Sequence, residues 1–113
     1  MKILISSDST CDLSAALREK YNIAIVPLYI EKEGRNYRDG VDIVPQDIFD
    51  YVGSGRGVCR TAAVNTEAYR ERFTAWRESY DAVIHFNISS EMSSCYQNAC
   101  AAAAECDNVY VVD

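Results

Sequence analysis

Apolar runs alternate with polar loops along the chain, and the spacing of the apolar positions changes from run to run. KILIS, at residues 2–6, reads as a short buried strand, and the polar loop SDST follows it. Asp12 is then placed to cap a helix, because Leu13, Ala16, Leu17 and Tyr21 recur at helical spacing. IAIVPLYIE is one continuous run rich in Ile and Val, the pattern of a strand buried on both faces of a parallel sheet. KEGRNYRDG carries turn residues and predicts an edge hairpin reaching Tyr37.

Pro45 suits a first helical position, and Ile48, Phe49 and Val52 mark a short helix ended by Gly53. GSGRG is a flexible loop that leads into CRTAAVN. Asn65 is the predicted cap of a third helix, on which Tyr69, Phe73 and Trp76 form a stripe at i, i+4 and i+7. That stripe reads as core. AVIHFNI is a third buried strand, NISSEMSSCYQNACAAAA a loop and helix, and VYVVD a fourth strand. The order predicts an α/β fold: a mainly parallel four-stranded sheet, helices on both faces and an edge hairpin.

Composition narrows the classes. A chain of 113 residues, 49% hydrophobic and 25% charged, supports one ordinary core and argues against disorder. Its formal net charge of −6 argues against a nucleic-acid or anionic-membrane surface, which needs clustered Lys and Arg. The arginines from Arg56 to Arg77 are interleaved with Glu67, Glu71 and Glu78, as on a solvated helix face. No run reaches the length of a membrane span, and MKILIS breaks too early for a signal peptide, so a cytoplasmic location is expected. Five cysteines without a two-residue gap, and a single His85, read as reduced structural thiols and not as a metal site.

In an open parallel sheet, ligands bind outside the carboxyl ends of the strands. SSDST and NISSEMSS follow the first and third strands, and RTAAVN precedes a helix that runs back along the sheet, so all three are expected at that edge. Helix N-termini there offer unpaired N–H groups, and Ser9, Thr10, Thr61, Ser89, Ser90, Ser93 and Ser94 add hydroxyls. Such an edge suits an anion. The same residue types are also the ordinary helix caps, and both readings stand at this level. A serine nucleophile is less well supported, because the G-x-S-x-G elbow is absent and His85 lies mid-strand. Asp8 and Asp39 have no spacing that singles them out as acid and base.

Five segments carry a family resemblance. SSDSTCDL is similar to T-D-S-T-x-D-L, NIAIVPLYI to I-x-V-V-P-L, and GRNYRDGVDI to G-x-x-Y-x-D-G-x-D-I. EMSSCYQNA is similar to L-S-G-T-Y-Q-S-A, and VYVVD to V-x-V-x-D. In this order they resemble the DegV family of bacterial fatty-acid-binding proteins over essentially the whole chain. The resemblance implies a carrier, with no enzymatic activity and no cofactor, that holds a long-chain fatty acid by its carboxylate. A separate fatty-acid kinase would phosphorylate the bound acid for phospholipid synthesis. By motif, the carboxylate contacts are Thr61 and Ser93, with Ser9, Thr10, Ala62 and Ser94 in the supporting loops. The family's T-S-Q-P-S stands here as Thr61-Ala62-Ala63-Val64-Asn65, and its S-G-T as Ser93-Ser94-Cys95. The resemblance also implies that residues 1–113 form an N-terminal lobe, with the second, C-terminal lobe missing from this chain.

Two other functions compete with the carrier. One is a phosphoryl- or acyl-transfer enzyme using Asp8, Ser93 or Cys95 at the same edge. The other is an α/β interaction module whose hydroxyls only cap helices.

Overall fold

A computed structural model describes residues 1–113. Strands β1 (Ile3–Asp8), β2 (Ala24–Val26), β6 (Ala82–Phe86) and β7 (Val109–Val112) form the four-stranded parallel sheet, in the order β2-β1-β6-β7. Three further strands, β3 (Tyr29–Lys32), β4 (Arg35–Arg38) and β5 (Arg60–Ala62), make a separate antiparallel sheet in the order β4-β3-β5. The helices are α1 (Ala15–Lys20), α2 (Pro45–Gly53), α3 (Thr66–Arg77) and α4 (Cys95–Ala103).

The alternation of side chains along each strand decides where the core lies. Leu4, Ser6 and Asp8 of β1, Val83 and His85 of β6, and Val109 of β7 are buried beneath α3 and α4. Tyr69 and Phe73, fully buried on α3, stack with ring centroids 5.7 Å apart. Burying side chains of this size contributes roughly 1.5–3 kcal/mol each. Right-handed crossovers put α1 on the opposite face, where Leu13 and Arg18 share a hollow with Ile25 of β2. That helix has only six residues, none of them buried. The rest of the face carries Ile3 (48% exposed), Phe86 (43%), Tyr110 (57%) and Val112 (40%), with Ile5 and Ile84 half-buried between them.

Four local expectations change. IAIVPLYIE is not one strand: it breaks at buried Pro27 and Leu28 into β2 and β3, which belong to different sheets. Proline offers no N–H to continue the parallel ladder, and the next N–H, of Leu28, donates to Ser9 Oγ at 3.1 Å. The hairpin reaching Tyr37 therefore forms within the second sheet, paired as Ile30 with Tyr37. CRTAAVN includes a strand, β5, paired to β3 with Thr61 opposite Ile30. Asp12 does not cap α1. It occupies the left-handed region (φ 53°) after a 3-10 turn at Ser9–Cys11, and Ser14 Oγ accepts the capping bond from Leu17 N–H at 3.2 Å. Pro45 opens α2 at its first position and Asn65 caps α3 as expected, with Asn65 Oδ1 accepting from Ala68 N–H at 2.8 Å; at α2 Asp47 also accepts from Val44 N–H at 3.0 Å.

Candidate functional site

The loops at the carboxyl end of the parallel sheet are tied to one another by side chains. Asp8 closes β1, is almost fully buried, and has no cationic partner among the ion pairs. Its carboxylate instead accepts from Thr10 N–H at 2.9 Å, from the Thr10 hydroxyl and from Ile88 N–H. The bond to a backbone N–H two residues on makes an Asx-turn. The bond to Ile88 crosses to the loop after β6, so one carboxylate holds both loops together.

A second tie joins the start of α4 to the segment that follows β5. Val64 N–H donates to Cys95 Sγ at 3.4 Å, and Asn98 Nδ2 donates to Val64 C=O at 2.9 Å. Both polar groups of one buried peptide residue are thus satisfied by α4 side chains. Thr61 lies three residues before this anchor, and Ser93 two residues before Cys95.

The hydroxyls divide into those already committed and those with a free proton. Thr10 gives its proton to Asp8, and Ser90 gives its own to Asp113 at 2.7 Å. The Ser90 hydroxyl and N–H together hold the Asp113 carboxyl below the usual carboxylate range. Ser93 Oγ only accepts, from Cys95 N–H at 3.2 Å, and so caps the first turn of α4 while keeping its proton. Ser89 and Ser9 also only accept, from Glu91 N–H and Leu28 N–H. Thr61 and Ser94 are exposed and use no side-chain oxygen within the chain; Ala62 beside Thr61 is half-buried. None of the segments 6–10, 61–65 and 87–94 contains a lysine or arginine.

Beneath this edge lies a buried polar row. Ser6 Oγ and His85 Nδ1, in register on β1 and β6, are 2.7 Å apart. His85 is packed edge-on against Tyr69 and Phe73, and its Nε2 has no partner. Burial lowers its pKa to about 4, against the opposing pull of the Asp8 charge. His85 therefore lies inside the core as a neutral ring, away from the edge where a base would act. Burial also pushes the Tyr69 phenol far above its usual range, with the neighbouring Cys95 thiol adding to the shift. The phenol accepts from Asn87 Nδ2 at 3.1 Å, an opposing effect.

The sequence reading assigns Thr61, Ser93, Ser9, Thr10 and Ser94 to this edge and names Asp8 and Cys95 there only as candidate reactive groups; their role in tying the loops, and Asn98's, comes from the structure. The local signal for Asp8's turn is the D-S-T spacing, with the Asx residue two before the N–H it accepts from. Asn98 carries no local signal, because its partner is thirty-four residues away.

What emerges first is a class: an α/β lobe whose sheet edge gathers hydroxyls and a helix N-terminus without fixed cations. The chain belongs to the DegV family, whose model, described as "Uncharacterised protein, DegV family", matches residues 2–113. A DegV domain-containing protein of Clostridium perfringens is 36% identical over 99% of this chain and 41% of its own length. A protein of Thermotoga maritima named "Fatty acid-binding protein" is 34% identical over 100% of this chain and 41% of its own. The solved structure of a Thermus thermophilus DegV family protein, described by its fatty-acid binding, superposes with a TM-score of 0.91 at 35% identity. It too is covered over 41% of its length, so this chain spans less than half of the relatives it matches. No helix is long and apolar enough to cross a membrane.

Proposed function

We propose that this chain binds a long-chain fatty acid by its carboxylate, with Thr61 and Ser93 as the head-group donors. Ser9, Thr10, Ala62 and Ser94 shape the loops around them. The observation that carries this reading is a pair of bonds, Val64 N–H donating to Cys95 Sγ and the Asn98 amide donating to Val64 C=O, which fastens the Thr61 segment against the helix that starts just after Ser93. An anion placed there meets hydroxyl protons and the positive end of α4 without needing a lysine or arginine. The relatives named for fatty-acid binding support the same ligand class. In this reading the acyl tail lies against a second lobe, for which the relatives' greater length leaves room, and a fatty-acid kinase receives the loaded head group.

A carrier is favoured over a transfer enzyme by how the reactive groups are used. Cys95 is fully buried, Asp8 nearly so, and both are engaged in hydrogen bonds that hold the loops. The direct test is lipid extraction from the natively expressed protein, followed by mass spectrometry and by titration with oleate. A bound acyl chain is expected, and Ser93→Ala and Thr61→Ala should each weaken oleate binding by roughly tenfold to a hundredfold, the usual effect of losing a hydrogen bond to a charged group. Retention of full affinity in both variants would remove these residues from the site.

A further inference from the structure

We infer that Cys95, with Asn98, is a positioning residue that sets the separation of Thr61 and Ser93, and so decides whether one carboxylate can engage both. The inference rests on the fatty-acid reading above and assigns roles to residues that touch no ligand. Cys95 touches both candidate segments, and so does Asn98, whose backbone N–H donates to Ser94 C=O at 3.0 Å. The Cys95 backbone N–H donates to Ser93 Oγ at 3.2 Å, and its Sγ accepts from Val64 N–H at 3.4 Å. Asn98, one turn further along α4, takes the Val64 carbonyl at 2.9 Å. Val64 itself is 1% exposed, so water cannot replace either bond. The next residue, Asn65, starts α3, which packs against α4.

The chain of constraints runs from Thr61 through Val64 to Cys95 and back to Ser93. The bond from Cys95 N–H also fixes how Ser93 is used, because it occupies an acceptor site and leaves the hydroxyl proton for a ligand. If the sulfur is lost, the Val64 N–H is left buried and unpaired, and the segment bearing Thr61 shifts to find another acceptor. A misplacement on the order of 1 Å is enough to lose a two-point contact.

The test compares Cys95→Val, which fills the site with a somewhat larger apolar side chain and offers no acceptor, with Cys95→Ser, which keeps an acceptor. Oleate affinity and hydrogen exchange at the Val64 amide are measured in the full chain. Cys95→Val should weaken oleate binding by roughly tenfold and speed Val64 exchange, and Cys95→Ser should restore most of both. In a Thr61→Ala/Ser93→Ala background, Cys95→Val should have no further effect on affinity, because it acts only through those two hydroxyls. Unchanged oleate affinity in Cys95→Val, with wild-type protein binding normally, overturns the positioning role alone. So does equal loss in the Val and Ser variants, or additive loss in the double-alanine background. If wild-type protein binds no oleate, the fatty-acid reading falls and this inference with it, whatever Val64 exchange shows.

Discussion

At the residue scale, the buried His85 has a measurable consequence. Its pKa is about 4 in the fold, against about 6.5 for an exposed histidine. Between those values the unfolded chain binds a proton that the folded chain refuses, so stability falls as pH drops from about 6.5 towards 4 and levels off below. The full shift corresponds to about 3 kcal/mol at 1.36 kcal/mol per unit. Thermal melts from pH 7.5 to 4.5 should therefore fall more steeply for wild-type protein than for His85→Gln, which removes the titrating ring. Parallel curves would show that His85 does not contribute to the acid sensitivity. His85 was legible as a mid-strand core residue because its strand pattern buries it, whereas Ser6 as its partner was not. That pairing depends on the register of two strands seventy-nine residues apart.

At the scale of elements, short-range signals were reliable and long-range ones were not. Asn65 followed by an aromatic stripe identified α3, and Asn65→Ala should lower stability by about 1 kcal/mol. That loss should appear as a lower urea midpoint with an unchanged slope. A midpoint within error of wild type would mean that α3 is held by its buried rings and gains nothing from its cap. The run IAIVPLYIE misled because apolar periodicity does not say which sheet a strand joins. Pro27 was the available signal, and its meaning came from Ser9 Oγ taking the next N–H. The candidate residues were legible to the same degree: SSDST and NISSEMSS follow predicted strands and Thr61 precedes a predicted helix, while Asp8–Ile88, Cys95–Val64 and Asn98–Val64 are contacts across the fold.

For the whole molecule, the main departure from an ordinary α/β domain is the apolar sheet face that α1 leaves uncovered. Ile3, Phe86, Tyr110 and Val112 stand beside one another across three strands, with Ile5 and Ile84 between them. Contiguous apolar surface of this kind binds hydrophobic dyes and promotes self-association. The full chain should therefore enhance the fluorescence of an anilinonaphthalene sulfonate dye in its folded state, and Phe86→Ser combined with Tyr110→Lys should remove most of the signal. A dye signal untouched by that pair of changes would locate the exposed surface elsewhere, with Phe49 on α2 the next residue to change.

The division into two sheets also bears on how the molecule opens. Ser93 is attached to the parallel sheet, whose strands lie against the main core, whereas Thr61 belongs to a three-stranded sheet whose outer strand β4 is largely exposed. The less buried of two such segments opens locally at lower cost. In the proposed reading, a head group held by both residues bridges the two sheets, so ligand binding is coupled to ordering the less buried one. Part of the intrinsic affinity is then spent on that ordering, and substitutions in β3 or β4 that stiffen the small sheet tighten binding without touching the ligand.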